Sequence, residues 1–198
     1  MAEKRFRNVY LLGLVSLFTD LSSQMVFPLL PLFMTSVLGA GAIMVGLVEG
    51  GAEAVASILK AFSGIWSDRL RRRKPFVIAG YALSALAKPL FAVVGSVGGV
   101  LGIRLTERIG KGLRNAPRDA LVVESVDAEN RGKAFGSHRS MDGIGSVLGA
   151  LAAFLLLPML GFRRLFLVAI IPGIIAIFFT FLIVERRKKR ERVEEHSE

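Results

Sequence analysis

The sequence predicts an all-α integral membrane protein of six transmembrane helices, arranged as a 3+3 inverted repeat. Three observations predict it. Hydrophobic residues make up 53% of the 198 and fall in long runs, several of them about twenty residues, enough to cross a bilayer as helices. The 26 Lys and Arg residues outnumber the 16 Asp and Glu, and they gather between and at the ends of those runs, where spanning proteins keep their cytoplasmic charge. Charge inside the runs is uneven: the first, second, fourth and fifth segments carry polar stripes, while the third and sixth are nearly clean. Two polar segments followed by one apolar segment, read twice, is the order of an internal three-helix repeat.

The basic N-terminus leads into a first span at about 9–38, which contains Asp20 and is expected to kink at Pro28 and Pro31. It is longer than a secretory signal and lacks a small-x-small cleavage site, so it reads as a retained helix. An uncharged turn at 39–41 precedes the second span, about 42–66, with Glu49, Glu53 and Lys60 on one face. The third span, about 76–94, is apolar apart from Lys88. The fourth, about 100–123, holds Arg104, Glu107, Arg108, Lys111, Arg114, Arg118 and Asp119, and hydropathy alone rejects it. Parity restores it. The stretches at 67–75 and 124–133 are both basic, so an even number of crossings separates them. The fifth span, about 134–158, carries His138, Arg139 and Asp142 in one half and small residues that permit close helix approach. The sixth, about 165–184, has no charge, and the 185–198 tail is basic, then mixed. Both termini are therefore expected in the cytoplasm, in a cell (plasma or inner) membrane.

A charge at the centre of a spanning helix costs roughly 2.5–3.5 kcal/mol, so such residues face protein or water. Spans one, two, four and five are expected to line an aqueous path, with three and six facing lipid. Glu53 sits roughly 18 Å from the uncharged end of its span, near mid-membrane, and Asp20 reaches a similar depth. The path candidates are Asp20, Glu49, Glu53, Arg104, Glu107, Arg108, Lys111 and Asp142. For any one of them the competing reading is an interhelical ion pair, such as Glu53–Arg108, that serves packing alone. A carboxylate shielded from water exchanges a proton near neutral pH, which singles out Asp20, Glu53 and Asp142. His138, four residues before Asp142, lies near the cytoplasmic end and reads as an interfacial histidine.

No soluble-enzyme signature competes: there is no phosphate-binding glycine loop, no metal-spaced histidine set and no nucleophile–base pair. An enzyme, a cofactor and a metal are not expected. A net charge of +10 raises nucleic acid as a partner, but the placement of the basic residues around apolar runs is explained by membrane orientation instead. The absence of cysteine excludes disulfides.

The stretch Gly64–Pro75, G-I-W-S-D-R-L-R-R-R-K-P, resembles the G-x-x-x-D-R-x-G-R-R loop between helices 2 and 3 of major facilitator superfamily transporters. Arg71 stands where the second family glycine would be. The resemblance covers the whole chain as the N-terminal six-helix half of that fold. Residues 161–166, G-F-R-R-L-F, resemble the entry to helix 6, and residues 108–121, R-I-G-K-G-L-R-N-A-P-R-D-A-L, resemble a prokaryotic efflux-like branch. The antiporter pattern of helix 5 is matched at Gly145 and Gly149, with Ala150 in place of its proline. The resemblance implies a cytoplasmic latch of Gly64, Asp68, Arg69, Arg72, Arg73 and Asp119. In it Asp68 engages a helix of the other half, and Arg69 pairs with Asp119 or Glu124. It implies secondary transport of a small solute by alternating access, symport or antiport, with proton coupling left open. Family members have two such halves, so the expected partners are the lipid bilayer, a small-molecule substrate and a second six-helix half, supplied by a separate chain or a homodimer. The alternatives are a truncated or split-gene half without transport of its own, and a membrane scaffold or sensor that uses the bundle for partner helices.

Overall fold

Apolar runs interrupted by proline and glycine give long helices with defined breaks. The computed structural model describes residues 2–70 and 72–185, and side chains from residue 6 onward. Arg71 and the 186–198 part of the basic tail lie outside them. The α-helices are α1 (Ala2–Gln24), α2 (Leu30–Ser36), α3 (Ala42–Leu70), α4 (Lys74–Ala87), α5 (Val97–Glu124), α6 (Arg131–Val168) and α7 (Ile170–Phe181). Pro28 and Pro31 fall in the first turns of a 3-10 turn (Phe27–Leu29) and of α2. There the missing N–H costs nothing, so the first span bends between α1 and α2. At the start of α5, the Ser96 hydroxyl accepts the Gly99 N–H at 3.2 Å and caps the helix.

Four stretches are long and apolar enough to cross a membrane: Phe6–Ser36, Ala42–Leu70, Lys74–Ala92 and Ala128–Phe181. The last is 54 residues long and divides at Gly161, whose φ of 67° and ψ of 171° are non-helical inside α6. A side chain is strained at that φ, so glycine is required where the chain turns back. The remaining crossing is α5, too charged for hydropathy to find.

Contacts between helices fix the direction of each crossing. Gly145 and Gly149 of α6 lie against Leu17 and Leu21 of α1, in the same order along both chains, so spans one and five run parallel. Lys88 and Tyr81 of span three meet Ser22 and Ser16 of span one, again in parallel. Span six is antiparallel to both: Ser22 bonds the Ala169 carbonyl at 2.6 Å while Asn8 bonds that of Val184 at 2.7 Å. Residues 49, 53 and 63 of α3 meet residues 104, 108 and 112 of α5, and these two spans run parallel to each other. Glycines 80 and 110 approach so closely that a Cβ on Gly110 would lie 2.7 Å from the Gly80 carbonyl oxygen, and α4 and α5 are antiparallel. Spans one, three and five therefore run one way and two, four and six the other. The second triplet enters with the opposite sense to the first, which is the inverted repeat.

Packing repeats with that symmetry. Span one packs on spans five and six, and span four packs on spans two and three. The span two–four seam also closes at backbone distance: a Cβ on Gly112 would lie 2.7 Å from the Ala56 carbonyl oxygen. Two apolar cores result. One, at the end carrying the 39–41 turn, centres on Leu30, Phe33, Phe91, Leu165 and Phe166, with Phe33 and Phe166 edge-to-face at 5.5 Å. The other, at the end carrying the 67–75 stretch, includes Val9, Leu12, Val77, Tyr81, Leu121 and Ile183. Between them along the helices lies a layer of buried polar groups, including Ser16, Ser22, Ser84, Lys88, Arg104, Glu107, Arg114 and His138.

The third span departs from its expected lipid-facing role. One face, with Leu86, Leu90 and Val93, is exposed. The other buries Gly80, Tyr81, Ser84 and Lys88 against spans one and four. A single lysine in an apolar run marks this inner face, because an intramembrane ammonium is tolerated only among polar partners.

Candidate functional site

The polar layer holds two groups of charges. In the first, Arg104 is the hub. It is 2% exposed and donates from Nε to Glu49 Oε1 at 3.0 Å, from Nη2 to Glu49 Oε2 at 2.6 Å, and from Nη1 to Glu107 Oε2 at 2.8 Å. Its guanidinium also lies 3.8 Å from the centre of the Phe27 ring, a cation–π contact that ties the bend of span one to spans two and four. One turn further along, Arg108 pairs with Glu53 at 3.0 Å. Lys111 is half-buried beside them and feels the charges of Arg108, Glu53 and Glu107.

The expectation that Arg104 and Glu107 line an open path is corrected here. Glu107 is 1% exposed, and both side chains are enclosed between spans one, two and four. The reason is stoichiometric: one arginine fork satisfies two carboxylates and an aromatic face, so the set closes on itself. Glu49 and Glu53, by contrast, keep exposed surface, at 31% and 55% of the side chain. They remain on the open side of α3, with Lys60 exposed below Glu53.

In the second group, Lys88 is fully buried and donates to Ser22 Oγ at 2.9 Å. Arg114 is buried with its guanidinium 4.5 Å over the Tyr81 ring and donates to Ser84 Oγ. Arg118 pairs with its neighbour Asp119 at 2.8 Å. Asp142 takes a hydrogen bond from Arg139 at 3.2 Å and lies 3.6 Å from His138 Nδ1. His138 is 1% exposed and bonded through Nε2 to Ser16 at 3.0 Å, so it is a core residue between spans one and five and not an interfacial one. Asp20 is half-buried and lies within electrostatic reach of Asp142, Arg114, Arg118 and Lys88. Residue-by-residue reading of the sequence assigns no role to Lys88, Arg114, Tyr81 or Ser16. Lys88 carries a signal in its lone charge; the serines and tyrosine carry none.

At the 67–75 end the pairing differs from the expected latch. Among the described residues, Arg73 and not Arg69 makes the contacts: its guanidinium bonds Asp68 at 2.9 Å and Glu124 at 3.0 Å. Asp119 is taken by Arg118, and Asp68 is held within the chain. Arg69 and Arg72 are exposed. Gly64 lies close to α5, where an added Cβ would be 3.3 Å from that of Ala116. Glu185 completes the group by accepting the backbone N–H groups of Arg73 and Lys74, a carboxylate at the N-terminus of α4. The shift from Arg69 to Arg73 is geometric. Arg69 ends α3 exposed to solvent, whereas Arg73 sits at the turn into α4, within reach of spans two, four and six. Arg73→Ala is expected to lower thermal stability in detergent by about 0.5–1.5 kcal/mol, since its partners are partly exposed. Arg69→Ala is expected to stay within about 0.5 kcal/mol of wild type.

Six crossings in two inverted triplets, with charges concentrated in spans one, two, four and five, define one half of a secondary-transporter fold. The chain belongs to the major facilitator superfamily, whose family model matches residues 12–198. It is 38% identical over 182 residues to an uncharacterized MFS-type transporter of Methanocaldococcus jannaschii, covering 91% of this chain and 45% of that protein. It is 31% identical over 151 residues to the multidrug resistance protein MdtH of Cronobacter sakazakii, covering 76% and 37%. The crystal structure of a bacterial homolog of the human lysosomal transporter Spinster, inward-facing and unoccupied, superposes with a TM-score of 0.76 at 15% identity. That match covers 97% of this chain and 47% of the other. The chain thus spans about half the length of the curated relatives it matches.

Proposed function

We propose that this bundle is one half of a secondary transporter that moves a small solute by alternating access, working against a second six-span half. The observation that carries this reading is exposed charge at membrane depth: Glu53 is 55% and Arg139 62% exposed by side chain, and Lys60 is exposed as well. Against lipid Glu53, near mid-membrane, would cost roughly 2.5–3.5 kcal/mol, and Lys60 and Arg139, nearer the ends of their spans, would cost less; against a second half and the water between, that cost disappears. The polar faces of spans one, two, four and five are then the walls of the path, and the basic 67–75 end faces the cytoplasm. Likeness to proteins named for multidrug resistance supports efflux of small organic compounds. Within the path, Asp20 and Glu53 are the carboxylates with access to it, and they are the groups on which a coupling proton would bind.

Everted membrane vesicles from the native host, with ethidium added outside as a probe, test this. Proton-driven ethidium accumulation is expected to fall about tenfold or more in Asp20→Asn, because the neutral amide cannot exchange a proton. Glu53→Gln is expected to weaken it as well. Unchanged gradient-dependent accumulation in both variants removes the two residues from coupling, and no accumulation in wild type removes ethidium-type efflux.

A further inference from the structure

His138 is a titratable group in a place where ordinary packing would use an apolar one. It is 1% exposed, and its Nε2 is 3.0 Å from Ser16 Oγ, which in turn is 3.2 Å from the hydroxyl of Tyr81. Ser16 and Tyr81 are each 2% exposed. The three residues come from spans five, one and three. In both hydrogen bonds the donor is set by circumstance, since hydroxyls rotate and each imidazole nitrogen either donates or accepts.

On its other side, Nδ1 lies 3.6 Å from Asp142 Oδ2, beyond a hydrogen bond but close enough to stabilise an imidazolium. The second carboxylate oxygen of Asp142, Oδ1, is buried with no hydrogen-bond partner among the described residues. A buried acceptor in this position has capacity for one more proton donor. Arg139, 62% exposed, bonds the same carboxylate and connects it to the surface.

We propose that His138 is a proton-binding site whose state is transmitted to spans one and three by reversal of the His138–Ser16–Tyr81 hydrogen-bond chain. With one proton, on Nδ1, the ring accepts at Nε2 from the Ser16 hydroxyl, and Ser16 accepts from Tyr81. When a second proton binds at Nε2, the ring donates to Ser16 and Ser16 donates to the Tyr81 oxygen. One proton is taken up, two hydroxyls rotate, and no other bond is made or broken. Tyr81 changes from donor to acceptor beneath the Arg114 guanidinium, 4.5 Å from its ring, so the proton alters the environment of a buried cation two helices away.

The charges facing this site come from spans five, four and one. Span five supplies Asp142 and Arg139, and span four supplies Arg118 and Asp119. Span one adds Asp20, which feels Asp142. Asp142 is the counter-charge in direct contact and is therefore the residue on which proton affinity depends most.

Nuclear magnetic resonance on the full chain in lipid vesicles tests the proposal. Only His138 and His196 are histidines, and only Tyr10 and Tyr81 are tyrosines, so ring-15N histidine and 13Cζ tyrosine labels each give two signals, assigned by His138→Gln and Tyr81→Phe. As the pH falls from about 9 to about 4, His138 is expected to pass from the Nδ1–H form to the doubly protonated form, with the Tyr81 signal following the same midpoint. Asp142→Asn is expected to change the proton affinity of His138 by about tenfold or more. Ser16→Ala, which removes only a hydroxyl, is expected to leave His138 titrating while Tyr81 no longer follows. A single protonation state throughout the range overturns the proposal, and so does a Tyr81 signal that ignores His138 or still follows it in Ser16→Ala. The readout involves no transport, so its failure leaves the transport reading standing, and a failure of transport leaves this site standing.

Discussion

Arg104→Leu is expected to lower the stability of the bundle by about 3–5 kcal/mol, the largest single effect in the molecule. The leucine fills much of the volume but leaves Glu107, 1% exposed, as an uncompensated buried carboxylate, and breaking a buried pair from one side carries that magnitude. Glu49 loses its bidentate partner and Phe27 its cation, so spans one, two and four come apart at one point. Arg104→Lys keeps the charge and still loses the fork, since an ammonium cannot serve two carboxylates and an aromatic face in the same plane. It is expected to recover no more than about half of the loss. Glu53→Gln in the neighbouring pair is the internal control. Its carboxylate is 55% exposed, and its removal is expected to cost less than about 1 kcal/mol. Thermal unfolding in detergent, followed by circular dichroism, ranks the three; equal losses for Arg104→Leu and Glu53→Gln would mean that burial does not set the value of these pairs.

Gly145→Val is the second large effect. A Cβ at Gly145 meets the carbonyl oxygen of Leu17, and one at Gly149 meets that of Leu21. Backbone cannot move aside as a flexible side chain does, so spans one and five must separate. Overpacking of this kind costs about 1–3 kcal/mol per site, and the two positions share one seam, so substitutions at both will not add. Gly143→Ala, where an added Cβ meets nothing within 4 Å, is expected to be neutral or stabilising by up to about 1 kcal/mol, because alanine is the better helix former. The opposite signs at positions two residues apart test whether the span one–five contact is at backbone distance. Loss of stability in Gly143→Ala comparable to that in Gly145→Val would contradict it.

How far the sequence reveals these arrangements depends on what each rests on. Crossings are legible because apolar length and basic flanks obey the bilayer, and α5, which hydropathy rejects, follows from the parity of its neighbours. The Glu53–Arg108 pair is legible as well, since both residues project from mid-depth on polar segments. The closure of Arg104 on Glu49, Glu107 and Phe27 is not, because it requires knowing that the proline bend of span one brings an aromatic ring over span four. The same holds for Arg73. Five basic residues in a short stretch are interchangeable on paper, and only the turn between α3 and α4 decides which one reaches Glu124. Lys88 could be found from its isolation in an apolar run, whereas Ser16 and Tyr81 have no sequence signal, their role being created by the meeting of spans one, three and five.

Cysteine crosslinking in native membranes reads whether the open polar face of this bundle packs against a second six-span half. The chain contains no cysteine, so single cysteines report single positions. Ser57 lies on the stripe of α3 that carries Glu53 and Lys60, and Gly143 lies one turn from Arg139 on α6; both are exposed. Phe178, 60% exposed on the apolar face of α7, is the lipid-facing control. A heterobifunctional thiol–amine crosslinker is expected to join Ser57→Cys and Gly143→Cys to a second six-span membrane segment, while Phe178→Cys remains unlinked. Absence of any product at Ser57→Cys and Gly143→Cys, with the chain intact in the membrane, would mean that no second half covers this face.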